Sequence, residues 1–201
     1  MSTTARIPLV ESGALVNAMN WFTQRAYGAV MEPALGLAHN RKVLVSSMRF
    51  QRSVEKWDAA DDSLKHLATL SAAATVGCSW CLDFGYWVSH NRGMDPAKLE
   101  AITAWRTSDV YTDLERRVIE YAEAMSTTPL TVTDDMVARL RERMSDAALV
   151  ELTAAIALEN SYSRTNAALG FTSQGFKRSH GGTGRSPGSP KEQCELRPAR
   201  A

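Results

Sequence analysis

Between Asp61 and Ala74 the side chains admit one backbone periodicity. Leu64, Leu67, Ala68, Ser71 and Ala74 recur at i, i+3, i+4, i+7 and i+10, the spacing of one face of an α-helix. Asp61, Asp62 and Ser63 stand before them as cap and negative first turn. Ala72, Ala73 and Ala74 are small enough to let a neighbouring helix approach closely. The same grammar recurs along the chain. A stripe of Leu15, Met19, Phe22, Ala26 and Val30 predicts a helix over 11–30. Pro33 opens a short one over 33–39, and 41–57 carries Val43, Val45, Met48, Phe50 and Trp57. Gly77 ends the alanine-rich helix, and Cys78 to Asn91 forms the next, with Gly93 as its terminator. Asp95-Pro96 starts a helix to about Trp105. Thr112-Asp113, Thr133-Asp134-Asp135 and Ser145-Asp146 open three more, the last running to Leu169 before Gly170. No hairpin dipeptide lies between alternating apolar runs. The expected fold class is all-α.

Length and charge set the organisation. At 201 residues the chain has room for one domain and an extension. Residues 177–201 hold four Gly, three Pro and three Ser, a net charge of +4, and little that could be buried. This segment is expected to be a disordered basic tail behind a helical domain over 1–176. The whole chain carries only +1, so no electrostatic footprint for nucleic acid exists. No run of 18 apolar residues supports a membrane span, and the N-terminus lacks a signal-peptide pattern. Three cysteines do not make a secreted disulfide framework. The expected setting is the cytoplasm, where thiols are kept reduced.

The chemistry concentrates at Gly77-Cys78-Ser79-Trp80-Cys81. Two cysteines three apart in a first helical turn share a face and can reach disulfide geometry. Free N–H groups and the positive end of the helix dipole favour a thiolate there. A thiolate attacks peroxides and disulfides, and a second cysteine can resolve the sulfenate or mixed disulfide. Two other readings use the same residues. A structural zinc site would need two more ligands at suitable spacing, and the third cysteine, Cys194, lies in the tail. Two buried, inert cysteines would be simple core residues. No metal, flavin or nucleotide is required by the sequence. His90, nine residues from Cys81, falls on the opposite helix face, and Trp80, Phe84, Tyr86 and Trp87 form an aromatic cluster.

The stretch Lys65-His66-Leu67 through Gly77-Cys78-Ser79-Trp80-Cys81-Leu82-Asp83-Phe84-Gly85, with Gly93 after it, resembles the carboxymuconolactone decarboxylase and alkylhydroperoxidase D-like superfamily. So do Leu114-Glu115-Arg116 through Tyr121-Ala122-Glu123-Ala124-Met125 with Pro129, and the closing Arg164-Thr165-Asn166-Ala167-Ala168-Leu169-Gly170. The resemblance covers roughly residues 30–176. It implies an all-helical fold assembled as trimers or hexamers and, with the CxxC pair, thiol-dependent reduction of peroxides or disulfides. It implies Cys81 as nucleophile and Cys78 as resolving cysteine, with an external dithiol protein as reductant.

Two positions depart from the family pattern. Twelve residues before Cys78, where the family has Glu, stands His66; four after Cys81, where it has His, stands Gly85. His66 can move a proton near neutral pH, and Asp83 is the other acid/base candidate, though two residues beyond Cys81 it points elsewhere on a regular helix. Gly85 leaves room for a substrate or a neighbouring helix. The expected function is a thiol oxidoreductase acting on alkyl hydroperoxides or disulfides. The rivals are a lactone decarboxylase-like enzyme, which would leave the cysteine pair unexplained, and a non-redox helical oligomer that binds a small ligand or partner.

Overall fold

A computed structural model describes residues 4–181. Among the described residues there are nine α-helices and no strand. They are α1 (Ala14–Tyr27), α2 (Glu32–Leu37), α3 (Arg41–Val54), α4 (Asp62–Val76), α5 (Ser79–Asn91), α6 (Pro96–Glu100), α7 (Asp113–Ser126), α8 (Asp134–Arg141) and α9 (Asp146–Leu169). Two 3₁₀ turns complete the set, Ala101–Thr107 and Phe176–Gly181. The expected tail boundary at 176 falls inside the second turn, and the remainder of that segment, 182–201, lies outside the described residues. No helix among the described residues is long and apolar enough to cross a membrane.

Seven of the nine α-helices, α3 to α9, begin where a side chain can replace the missing backbone acceptor. Asp61 accepts from the Ser63 and Leu64 amides, and Ser145 accepts from Ala148. Thr112 and Glu115 form a reciprocal capping box at α7. Gly28, Gly77 and Gly170 end α1, α4 and α9 in left-handed conformations, which a glycine adopts without a Cβ clash. One element departs from expectation. The predicted helix from Pro96 to Trp105 is α-helical only to Glu100. It then tightens into a 3₁₀ turn with non-helical dihedrals at Ala104.

α4 is the central element. Ala68 and Ala72 are fully buried against Val118 and Ala122 of α7 and Leu152 and Ile156 of α9. The small side chains let both helices close in, as the sequence pattern predicts. On another side Leu67 and Leu70 meet Leu99, Ile102, Tyr111 and Ile119. The N-terminal helices have a smaller core of their own, in which Val16 and Met19 pack with Leu35 and Leu44. Trp21, Phe22, Val43 and Phe50 of α1 and α3 remain on the surface.

Two contacts set the direction of α9 against α4. The Lys65 ammonium lies 2.7 Å from Glu151 near the start of both helices. At the other end Asn166 reaches Cys81, just beyond the end of α4. The two helices therefore run side by side in the same sense and deliver their C-terminal ends to the cysteine-bearing turn.

Candidate active site

Gly77 stops α4 and turns the chain so that Cys78 becomes the N-cap of α5. The Cys78 sulfur accepts the Cys81 backbone N–H at 3.1 Å, a sulfur in the place a Ser or Asp oxygen normally fills. The two residues, with Cα atoms 5.3 Å apart, are joined as a disulfide. The pair therefore occupies the positive end of a 13-residue helix, where a sulfur anion is favoured once the bond is reduced. Both cysteines are buried, Cys78 at 1% and Cys81 at 7% exposure.

Three kinds of surroundings meet at this turn. The first is apolar. Trp80 stacks on Phe84, and Phe84 on Trp87, along α5. Tyr27 from α1 and Phe176 from the C-terminal turn close edge-on against them. Of the four aromatics expected to cluster here, Tyr86 leaves the group; it stacks on His90 and carries the Lys177 ammonium 4.6 Å from its ring centre.

The second is a strap formed by residues 171–177. Asp83 holds it down. Its carboxylate accepts from the Ser173 hydroxyl (2.8 Å) and from the backbone N–H groups of Gly175 (2.7 Å), Phe176 (3.0 Å) and Lys177 (2.7 Å). The Gln174 side-chain oxygen takes the Trp80 indole N–H at 2.7 Å, and its amide donates to Val30. Asp83 is thus committed on both oxygens to the strap, which is why it is buried two residues from Cys81 without touching a sulfur.

The third is polar and comes from α9. The Asn166 side-chain amide donates to the Cys81 sulfur at 3.4 Å. Asn166, Ser163 and Glu159 share one face of the helix. Ser163, fully buried, donates to the Glu159 carboxylate at 2.7 Å. Burial raises the Glu159 pKa to about 7, against the lowering effect of that hydrogen bond. Arg164 turns away and donates to the Ser126 carbonyl and the Thr128 hydroxyl.

The candidates read from sequence are therefore brought together only in part. Cys78 and Cys81 are joined. His66 lies seven residues before Ala73, the α4 residue that shares a buried cluster with both cysteines, or roughly 10 Å along the axis. It meets Arg92 at 3.4 Å instead, and burial, with Arg92 beside it, lowers its pKa to about 4. Gly85 faces a neighbouring helix: a Cβ there would stand 2.9 Å from a Leu70 methyl. Asn166, Gln174, Phe176 and Tyr27 are the contacts that sequence reasoning missed. For Asn166 a signal existed, a buried amide in register with Ser163 and Glu159. For the other three none did, because a strap or loop has no periodicity. Among the described residues no group of three His, Cys, Asp or Glu is arranged to hold a metal ion.

Comparison with known proteins places this geometry. The family described as carboxymuconolactone decarboxylase matches residues 48–124, from α3 to α7. The chain is 32% identical over 172 residues to the uncharacterized protein YnjA of Escherichia coli K12, covering 85% of this chain and 94% of YnjA. Among solved structures, the alkylhydroperoxidase AhpD core of a peroxidase-related protein from Ralstonia eutropha JMP134 superposes with a TM-score of 0.77. It is 15% identical and covers 88% of this chain and 96% of that one. A cysteine variant of the debrominase Bmp8 in complex with 2,3,4-tribromopyrrole gives 0.75 at 19% identity, covering 87% and 96%. At these identities the two structures speak for a shared fold.

Proposed function

The chain belongs to the carboxymuconolactone decarboxylase family, and from that premise we propose that it is a thiol-dependent oxidoreductase that reduces small organic hydroperoxides. The observation that carries the reading is the Cys78–Cys81 pair at the N-terminus of α5, with a side-chain donor on the Cys81 sulfur. In the reduced protein the Cys81 thiolate attacks one peroxide oxygen. An S–O bond forms, the O–O bond breaks, and the departing alkoxide takes a proton to become the alcohol. The Cys78 thiol then attacks the Cys81 sulfenic acid, water leaves, and the disulfide closes. An external dithiol protein returns the two electrons in a compartment where thiols are kept reduced, the cytoplasm.

The surroundings favour a small apolar substrate. Trp80, Phe84 and Phe176 wall one side of the largely buried cysteine pair. The debrominase of the same fold binds 2,3,4-tribromopyrrole, a small halogenated ring. Cys81 is assigned as nucleophile and Cys78 as resolving cysteine. Asp83 serves the strap, and His66, neutral at pH 7 and set beside Arg92, receives no part in the thiol chemistry. The exposed apolar residues of α1 and α3, Trp21 at 68% among them, support assembly as a homo-oligomer.

Intact mass of the reduced protein after a brief dose of cumene hydroperoxide tests the reading. The expected result is loss of two hydrogens in the wild type and a trapped sulfenic acid in Cys78→Ser but not in Cys81→Ser. Unchanged mass in the wild type overturns it.

A further inference from the structure

A disulfide formed in turnover has to be reopened, and reopening needs contact. The thiolate of a reductant must reach bonding distance of one of the two sulfurs, and access is one of the factors that set the rate. Both cysteines are buried in the disulfide-bonded chain, so part of their cover has to move. The buried cluster that includes them draws on helices and on two segments outside them. Ala73 comes from α4, which is built into the main core between α7 and α9, and Trp80, Phe84 and Trp87 come from α5. Ala29 and Met31 come from the linker between α1 and α2, and Phe176 from the strap. Residues 28–31 and 171–175 run without helix and are held in place by side chains.

One side chain joins the two segments. The Gln174 carboxamide oxygen accepts the Trp80 indole N–H at 2.7 Å and the Glu32 backbone N–H at 3.1 Å, and its amide group donates to the Val30 carbonyl at 2.9 Å. α2 begins at Met31 with no side-chain cap of its own, so the strap supplies an acceptor that the local sequence lacks. The other fastening of the strap is of a different kind. Asp83 takes four donors on a carboxylate, and hydrogen bonds to an ionised acceptor are roughly twice as strong as those between neutral groups. The neutral amide of Gln174 is therefore the weaker fastening, and it is the one that ties the linker to the strap.

We propose that Gln174 is a specificity-determining residue of the site: it latches the linker over 28–31 to the strap beside the cysteine pair, and its release admits a protein thiol to the disulfide. The inference rests on the redox reading above, in which an external dithiol protein reopens the pair. With the latch released, the reductant's thiolate attacks one sulfur of the pair, a mixed disulfide forms, and the other sulfur leaves as a thiolate. The reductant's second thiol then attacks the mixed disulfide, the reductant closes its own disulfide, and both cysteines are left reduced. A small thiol needs only a narrow opening, whereas a folded partner needs the linker displaced. The latch thereby sets the ratio of the two rates.

The test compares the rates at which dithiothreitol and reduced thioredoxin reopen the disulfide of the oxidised full-length protein, with the freed thiols counted by mass after an iodoacetamide quench. Gln174→Ala removes all three hydrogen bonds, so the rate with thioredoxin is expected to rise about tenfold and the rate with dithiothreitol by less than about threefold. Trp80→Phe keeps a ring against Phe84 and removes one of the three bonds. It is expected to raise the thioredoxin rate by a smaller factor, and it serves should Gln174→Ala not fold. Leu140→Ala opens the core of α7, α8 and α9 without touching the latch, and is expected to leave the ratio of the two rates at its wild-type value. Thioredoxin rates in Gln174→Ala and Trp80→Phe that equal the wild type overturn the proposal. So does a rise shared equally by both reductants, the same change of ratio in Leu140→Ala, or an absence of reduction by thioredoxin in both the wild type and Gln174→Ala. The companion readout is oxidation of the reduced protein by cumene hydroperoxide. A latch effect in a protein that hydroperoxide does not oxidise would uphold the Gln174 assignment while removing the peroxidase reading. Oxidation by hydroperoxide with reduction indifferent to Gln174 would do the reverse.

Discussion

α4 and α9 lie side by side and end at the same turn, yet they bring opposite things to it. α4 arrives with Ala72, Ala73 and Ala74, a surface that permits close approach. Its titratable residues, Asp62, Lys65 and His66, stand near the other end, with Arg92 beside His66. α9 is apolar at Leu152 and Ile156, where it helps to form the main core. It becomes polar on the same face at Glu159, Ser163 and Asn166. The central helix thus sets the distances, and the terminal helix, some 85 residues later in the chain, supplies the hydrogen-bonding atoms.

The largest effect is expected on the side away from α9. Asp83→Ala removes the acceptor for four strap donors, three of them backbone N–H groups. Hydrogen bonds to charged groups contribute about 1.5–3 kcal/mol each but share one carboxylate here, so a loss of about 3 kcal/mol is expected in urea unfolding. The disulfide should at the same time become more quickly reducible by dithiothreitol, since Phe176 is freed from the aromatic wall. A variant with wild-type stability and reduction rate would show that the strap is not held by Asp83.

His66 and Glu159 make the comparison between the helices measurable. Native His66 stays neutral down to about pH 4 whereas the unfolded residue is protonated below about 6.5. The unfolded state therefore binds more protons in that window, and stability from this group rises with pH. Native Glu159 stays protonated up to about pH 7 whereas the unfolded residue ionises near 4.5. Here the native state binds more protons, and stability falls as pH rises. Between pH 4.5 and 6.5 the two slopes oppose each other and nearly cancel. His66→Asn should unmask a loss of about 2–3 kcal/mol on going from pH 4.5 to 7, and Glu159→Gln a gain of about the same size. Thermal unfolding of the oxidised proteins across that range checks it; parallel curves for the two variants would refute the pairing.

The smallest effect concerns the packing of α4 on α5. Gly85→Ala sets a Cβ 2.9 Å from the Leu70 methyl, a flexible tip that can shift, while alanine gains about 1 kcal/mol in helix propensity over glycine. The net change is expected to stay within about 1 kcal/mol, measured by urea midpoint. Gly85→His, which restores the family residue type, should cost clearly more, because the ring has to displace Leu70 from a filled core. Equal stability of the two variants would show open space at Gly85.

Most of the helices were legible in the residues themselves. Asp61, Thr112 and Ser145 each cap the helix they precede, and the alanines of α4 lie where two helices close on it. These are local properties: periodicity and capping act over four residues, and a sequence displays them directly. The cysteine pair was legible for the same reason, since its partners are one turn apart and the glycine before them starts a new helix. His66, Asp83 and Asn166 were not to be sorted by such reasoning. Whether a carboxylate two residues from a cysteine handles its proton or ties down a strap depends on Ser173 to Lys177, some ninety positions away. Whether an amide in the last helix is a surface group or the donor on a sulfur depends on two helices running in the same direction. The sequence by itself determined the helices, their ends and the dithiol at an N-terminus, because each arises from interactions within one or two turns. Only the tertiary structure decided which polar groups face the sulfurs, because burial and donor geometry come from contacts between segments whose separation the chain does not encode locally.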